Sequence, residues 1–199
     1  MNASDRFSTG GFSLLEMLVV VVLMLVATVL MTGHLTISSR QHALANCQNN
    51  LQKIHLALSL YKTDNGGFPF LQEAKTSAEP LSLLVPKSTT MTEIFICPLT
   101  KDKALPEAAS FADRKISYAY YMGRTTNDDP GAIIASDAQV NDSPKSAGQQ
   151  VFSPDGKKPG SNHGKDGGNL LSCGGEVIAS GPKTSRDLLF PAAVRLLNP

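Results

Sequence analysis

The sequence lacks a strong charge of either sign. Its 18 Lys and Arg residues nearly balance its 17 Asp and Glu residues, which leaves a formal net charge of +1 over 199 residues. Because nucleic acid attracts a clearly basic surface, this composition gives no reason to expect a nucleic-acid partner. The histidines are not accompanied by a Ser or Cys nucleophile motif either, so we expect the chain not to be an enzyme.

Charged residues are also missing from one long stretch near the amino terminus. No Asp, Glu, Lys or Arg occurs between Met17 and Ser39. The run is long enough to cross a bilayer as a helix, which takes about 20 apolar residues. An acid, Glu16, stands directly before it. A lone charge deep in a bilayer costs roughly 2.5 to 3.5 kcal/mol, so the sequence predicts a partner for Glu16.

Two glycines precede this run. Gly10 and Gly11 lower the helix propensity and leave an open, extended peptide that a protease can grip. The block from Gly10 to Glu16 resembles the class III signal peptide of type IV pilins and type II secretion pseudopilins, in which Gly ends a short polar leader, Phe begins the mature chain and Glu is fifth. The resemblance implies that prepilin peptidase cuts between Gly11 and Phe12 and methylates the new amino group. It also implies that Glu16 pairs with the Phe12 amine of a neighbouring subunit during assembly.

Two other interpretations of the amino terminus are open. An ordinary secretory signal would have a basic leader, whereas here Asp5 offsets Arg6 and Glu16 would lie inside the apolar core. A plain membrane anchor needs neither the glycine pair nor the acid, and the basic flanks that would orient it are weak.

A stripe of apolar residues predicts that the helix continues beyond the apolar run. Its members recur at spacings of three and four, which places them on one helical face that we expect to pack against a sheet. They are Leu44, Cys47, Leu51, Ile54, Leu58 and Tyr61. The helix should end near Gly66, because glycine provides a left-handed cap and Pro69 prevents continuation. Gly33 lies where pilins often carry a helix breaker, and close packing of a neighbouring helix is the alternative explanation for it.

Residues 10–70 as a whole resemble the pseudopilin subgroup related to the major type II secretion pseudopilin. The resemblance implies an α+β pilin-like lollipop, in which a long N-terminal helix with a membrane half and an amphipathic half packs on a small antiparallel sheet with long loops. It divides the chain into a leader peptide (1–11), a transmembrane and assembly half-helix (12–38) and a periplasmic globular domain that includes the amphipathic half-helix (39–199).

The distal part contains short segments that favour strands. We predict strands at Glu93–Cys97, Ile116–Met122, Ala132–Ser136, Asn169–Cys173 and Glu176–Ser180. The last two flank Gly174-Gly175, a pair that suits a two-residue hairpin turn with positive φ.

The segment from Asp137 to Asp166 is rich in turn residues and predicts one or two long exposed loops. We expect no cofactor and no metal. Calcium is the alternative, because some major pseudopilins bind it in such a loop, although no calcium-loop spacing is present. The candidate oxygen ligands are Asp128, Asp129, Asp137, Asp142, Asp155 and Asp166.

Histidine and cysteine offer few further candidates. We interpret His163 as a turn histidine hydrogen-bonded to backbone, and the enzyme-class alternative is an anchored periplasmic hydrolase that uses it as a base. In an oxidising periplasm, three cysteines most simply give one disulfide and one free thiol. Cys47 and Cys97 form the candidate disulfide, Cys97 with Cys173 is a close rival, and buried free thiols are the third arrangement.

The resemblance implies a structural filament subunit, either a type II secretion pseudopilin or a type IV pilin, that assembles with copies of itself. Its expected partners are prepilin peptidase, the inner-membrane assembly platform and the membrane. The expected location is the inner membrane, single-pass with a periplasmic C-terminal domain, and then a filament in the periplasm or at the cell surface. The alternatives are a minor pilin and a membrane-anchored binding or adhesion module with its activity in the loops from Asn127 to Asp166.

The processing prediction concerns Gly11. Because the resemblance places a residue without a side chain at the cut, Gly11→Val should leave the leader attached to the chain. Mass spectrometry of the wild-type protein should find a chain that starts at Phe12 and carries one added methyl group. An intact Met1 terminus in the wild-type protein would contradict the resemblance at its most specific point.

Overall fold

The structure is a computed structural model that describes residues 13–103 and 106–199, without the side chains of residues 31–38. The predicted cleavage residues Gly11 and Phe12 lie outside the described residues. The chain divides into two compact units, the first ending at Gln41 and the second comprising His42–Pro199.

Helix α1 comprises Leu14–Asn65. At its start, the carbonyl oxygen of Ser13 accepts hydrogen bonds from the backbone N–H groups of Glu16 and Met17, at 2.9 and 3.1 Å. At its end, Gly66 has φ +76° and donates its N–H to the carbonyl of Lys62 at 2.9 Å. The predicted glycine cap is therefore confirmed, because Gly66 adopts the left-handed conformation that closes the last turn.

No helix in the part of the chain that the structure describes is both long enough and apolar enough to cross a membrane. The predicted α+β pilin-like lollipop, in which one half of the long helix lies in a membrane, is therefore wrong. The predicted single-pass inner-membrane location is wrong for the same reason.

The apolar stripe of α1 faces the core of the second unit. Cys47, Leu51, Ile54 and Leu58 have no exposed surface, and Tyr61 packs partly buried against the same core. Leu56 and Leu60, which lie off the stripe, are 63% and 55% exposed. The spacing of three and four residues thus identified the buried face of the helix, whereas leucine content alone does not.

Three short helical segments and five strands complete the described fold. The helices are α2 (Ala78–Leu81) and two 3-10 turns at Ser82–Leu84 and Glu93–Phe95. The strands are β1 (Tyr118–Met122), β2 (Ile133–Asp137), β3 (Gly168–Ser172), β4 (Val177–Ser180) and β5 (Arg195–Leu197). They form one antiparallel sheet in the order β4-β3-β2-β1-β5.

Four of the five predicted strands are present within one or two residues of their expected bounds. The Gly174-Gly175 hairpin joins β3 to β4, and Leu171 pairs with Val177 across it. The predicted strand at Glu93–Cys97 is wrong, because Glu93–Phe95 is a 3-10 turn. Ile94 and Phe95 are buried there without pairing to another strand. A short apolar run in a sequence is compatible with a buried strand and with a buried helical turn, so the pattern could not distinguish them. Strand β5 has no counterpart among the predicted strands.

Both faces of the sheet are buried. Tyr118 and Tyr120 of β1 point into the core that contains the α1 stripe, whereas Tyr121 points into a second apolar cluster. That cluster includes Val151 and Phe152, which belong to the long segment between β2 and β3. The segment predicted to be an exposed loop is therefore partly a cover for the second face of the sheet.

The core prediction compares two leucines on α1. Leu58→Ala should lower the free energy of unfolding by about 2–5 kcal/mol, because it removes a fully buried side chain and leaves a cavity. Leu60→Ala makes the same chemical change on the exposed face and should alter stability by no more than about 0.5 kcal/mol. Urea unfolding followed by circular dichroism measures both, and equal losses would contradict the assignment of the buried face.

Candidate functional site

The first unit presents an apolar surface that the described residues do not cover. Between Leu14 and Leu30 the large apolar side chains are 40–86% exposed, on all sides of the helix. Glu16 lies exposed in the first turn of this segment, where its charge is favourable beside the helix amino terminus. Its predicted partner, the amine of Phe12, is not among the described residues.

The structure joins Cys47 of α1 to Cys97 in a disulfide, with Cα atoms 5.2 Å apart. Cys97 lies in the segment that leads to strand β1, directly before Pro98. The disulfide therefore links the middle of α1 to that segment. Cys173 keeps its thiol, and burial raises the pKa of that thiol. A thiol with a raised pKa is a poor nucleophile, so Cys173 has the character of a packing residue.

A buried carboxylate lies next to this disulfide. Asp137 ends strand β2 and has no exposed surface. Its Oδ1 accepts a hydrogen bond from Nδ2 of Asn162 at 2.9 Å, and its Oδ2 accepts one from the backbone N–H of Asn169 at 2.7 Å. Nε2 of His163, which is 4% exposed, lies 3.4 Å from the same Oδ2. The amide of Asn162 also donates to the carbonyl of Ser117.

Three separate parts of the chain bring these groups together. Strand β2 carries Asp137 at its end, the neighbouring strand β3 carries Asn169, and the loop that enters β3 carries Asn162 and His163. Gly167 allows the loop to enter the strand, since its φ is +95° and a Cβ there would lie 2.0 Å from the carbonyl oxygen of Ser180. Helix α1 reaches the same cluster through Gln48, whose Nε2 donates to Oδ1 of Asn169 at 3.3 Å.

The electrostatics of this cluster are set by burial. Burial raises the pKa of the Asp137 carboxyl, and the nearby His163 ring and the donors of Asn162 and Asn169 offset part of the rise. Both oxygens of the buried Asp137 carboxylate thus accept a hydrogen bond, which a buried charge needs in order to be tolerated. The cluster contains no nucleophile for a hydrolase, because the two nearest sulfur atoms are bonded to each other.

A second buried network fixes the long loop to the sheet. Nζ of Lys145, a residue only 3% exposed, donates to Oε1 of Gln139 at 3.0 Å and to the carbonyl of Ser143 at 2.8 Å. Nε2 of Gln139 donates to the hydroxyl oxygen of Tyr121 at 2.7 Å. Burial lowers the pKa of Lys145 and raises that of Tyr121 to about 12. The phenol therefore stays protonated, and the network is structural.

A basic cavity of about 420 Å³ opens beside the loop that carries Asn162. Lys101, Lys115 and Lys158 line it together with a single acid, Asp102. The adjacent Lys158 side chain, and then burial, lower the pKa of Lys115. Because lysine side chains outnumber acidic side chains three to one in its lining, the cavity suits a small anion better than a cation.

The aspartates proposed as calcium ligands do not converge in the structure. Among the described residues, the one group of three or more metal-ligating side chains contains Asp137 but none of the other five aspartates. Asp128 instead pairs with Arg124 at 3.2 Å, and Asp155 accepts hydrogen bonds from Ser153 and Lys157. The structure therefore does not support a calcium loop.

Comparisons of the chain with protein-family models, with curated proteins and with solved structures found no match. The resemblance carried by residues 10–70 thus stays an expectation, and function has to be argued from the side chains themselves.

Sequence reasoning placed His163 and Asp137 in different roles and missed that they meet. His163 does lie in a turn, as expected, but its ring is buried beside a carboxylate, which was not predicted. One local signal was available: Asp137 directly follows the apolar run of β2, and an acid at the end of a buried strand needs a partner. Nothing in the sequence near Asp137 indicates that the partner is His163.

The network prediction concerns Asn162. Asn162→Ala should lower the free energy of unfolding by about 1.5–3 kcal/mol at neutral pH, because the buried Asp137 carboxylate and the Ser117 carbonyl lose a donor. The exposed Asn127→Ala is the matched control and should change stability by no more than about 0.5 kcal/mol. Urea unfolding at several pH values measures both variants.

The sign of the pH dependence follows from the raised pKa of Asp137. The wild-type protein gains stability from this group below the unfolded value of about 3.8 and loses that gain as pH rises through the folded pKa. The amide of Asn162 favours the ionised carboxylate, so the cost of Asn162→Ala should shrink on acidification. A cost that is independent of pH would show that the amide does not stabilise a charge.

Proposed function

We propose that this chain is a structural filament subunit of the type II secretion pseudopilin or type IV pilin class. Prepilin peptidase would cut it between Gly11 and Phe12, and the mature chain would assemble with copies of itself through the assembly machinery of such a system. The observation that carries the proposal is the apolar surface from Leu14 to Leu30, together with the acid at its start.

This apolar surface is larger than a single chain has reason to expose. Contiguous apolar patches beyond a few hundred square ångströms mark interaction sites, and here every large apolar side chain of the segment is at least 40% exposed. The same segment of neighbouring copies is the cover that fits best, because apolar helices without any charge after Glu16 can pack side by side in a bundle.

Glu16 gives such a bundle its register. When apolar helices surround the carboxylate, its charge loses water and needs a cation close by. The resemblance supplies that cation as the methylated amine of Phe12 on a neighbouring copy. A subunit shifted along the bundle would leave the carboxylate and the amine without partners. The charge pair therefore selects one axial alignment of neighbouring subunits rather than adding stability.

The second unit covers its own apolar residues. It buries its own apolar residues on both faces of the sheet, and the disulfide ties its helix to the sheet segment. A unit that folds around its own core needs nothing from its neighbours to stay folded, so assembly is left to the first unit.

A second candidate function is that of a binding or adhesion subunit. The basic cavity lined by Lys101, Lys115 and Lys158 favours it, because it offers a site for an anionic ligand within the loops. The two candidates differ in what happens when the gene is deleted. Loss of a filament subunit abolishes the filament, whereas loss of a tip binding subunit leaves filaments that no longer bind.

The assembly prediction concerns Glu16. Glu16→Leu should be cleaved and folded normally but should reduce the yield of sheared filaments at least about tenfold, which corresponds to 1.4 kcal/mol of assembly free energy. The matched control is Glu73→Leu, an exposed acid in the second unit that should leave the yield unchanged. Quantitative blotting of sheared filaments measures the yield, and mass spectrometry verifies the cut.

Two outcomes would contradict the Glu16 prediction. A normal filament yield from cleaved Glu16→Leu would remove the physical argument for a charge pair between subunits. An equal loss in Glu73→Leu would show that the variants act through protein level rather than through assembly.

A further inference from the structure

The disulfide and the buried Asp137 belong to one compact cluster. One ligand atom from each of Cys47, Cys97, Asp137 and His163 can be chosen so that all four lie within 4.8 Å of one another. Three of these residues have no exposed surface, and His163 is 4% exposed. Two sulfurs, one imidazole nitrogen and one carboxylate oxygen are thus gathered inside the second unit.

This donor set matches what zinc prefers. Zinc in proteins is four-coordinate and tetrahedral, with bonds of about 2.3 Å to sulfur and about 2.0–2.2 Å to nitrogen or oxygen. A tetrahedron with such bonds has edges of roughly 3.3–3.8 Å, so ligand atoms within 4.8 Å need only small side-chain movements to surround a zinc ion. Calcium and magnesium are poor fits, because they prefer six or more oxygen ligands or bound water.

The cluster is already oriented by its surroundings. Asn162 and the backbone of Asn169 hold the two oxygens of Asp137, and the hydroxyl of Tyr118 donates to the carbonyl and to the Sγ of Cys47 at 3.4 and 3.5 Å. Groups that orient metal ligands in this way raise metal affinity, because the ligands lose less freedom on binding.

We propose that reduction of the Cys47–Cys97 disulfide turns this cluster into a zinc site formed by Cys47, Cys97, Asp137 and His163. A dithiol reductant passes two electrons and two protons to the sulfur atoms and is itself oxidised to a disulfide. Zinc then displaces the two thiol protons and binds both thiolates, the Asp137 carboxylate and one nitrogen of neutral His163. The disulfide and the zinc ion exclude each other, since both use the same two sulfur atoms.

Charge balance allows both states in the same buried place. With Asp137 ionised and His163 neutral, the oxidised cluster carries one negative charge. Two thiolates and a zinc ion add no net charge to it, so the zinc form does not bury an additional charge. Without the metal the two reduced sulfur atoms stay protonated, because two buried thiolates would add two uncompensated negative charges.

The test uses the full chain, purified in the oxidised state and again after treatment with a dithiol that is then removed without air. Each sample is dialysed against zinc chloride, and bound zinc is counted by mass spectrometry. The reduced protein should hold about one zinc ion per chain and the oxidised protein less than about a tenth of that. Re-oxidation should release the zinc.

Matched variants identify the ligands. Asp137→Asn and His163→Gln should each weaken zinc binding to the reduced protein at least about tenfold, measured by competition with a chromophoric chelator. Cys173→Ser and His55→Gln remove a thiol and an imidazole that lie outside the cluster, and they should leave the affinity unchanged.

Cobalt provides a readout that needs no variant. Co²⁺ added to the reduced wild-type protein should give the thiolate-to-cobalt charge-transfer absorption and the strong visible bands of a tetrahedral site, with far-ultraviolet circular dichroism of the folded state. A reduced protein that takes up neither metal would overturn the proposal. So would zinc binding that disappears in Cys173→Ser, or zinc bound equally by the oxidised protein.

Discussion

The second unit depends on the burial of one face of α1 against the sheet. Each Leu or Ile side chain that the stripe buries contributes about 1.5–3 kcal/mol. The stripe also sets where the other groups of the unit lie, because it brings Cys47 within bonding distance of Cys97 and Gln48 within reach of Asn169. The helix is therefore both a part of the core and an element that positions the buried polar cluster.

The buried polar groups show why the long segment between β2 and β3 is ordered. Asp137, Lys145 and His163 are all nearly inaccessible, and each has contacts that the segment itself provides or receives. Burying an ionisable group is costly without such contacts, so the segment must follow one path over the sheet. Its composition suggested an exposed loop, and its tertiary contacts make part of it a cover for the second face of the sheet.

The two units treat their apolar residues in opposite ways. The second unit covers its own, on both faces of the sheet. The first unit exposes its apolar side chains from Leu14 to Leu30 and leaves their burial to other molecules. In the proposed filament subunit, the second unit therefore provides the folded core and the first unit provides the surface for assembly. Glu16 is the polar group that determines how neighbouring subunits align.

The sequence by itself determined the features that depend on neighbouring residues. The stripe of α1, its glycine cap at Gly66, four strands and the Gly174-Gly175 hairpin follow from local periodicity and turn chemistry. The charge-free run suggested a membrane span, but no described helix is both long enough and apolar enough to be one. A segment's polarity does not by itself reveal what covers it. Only the tertiary structure chose among the cysteine pairings and brought His163 to Asp137. Those contacts join residues far apart in the chain, and their geometry exists only once the helix, the sheet and the long loop have packed together.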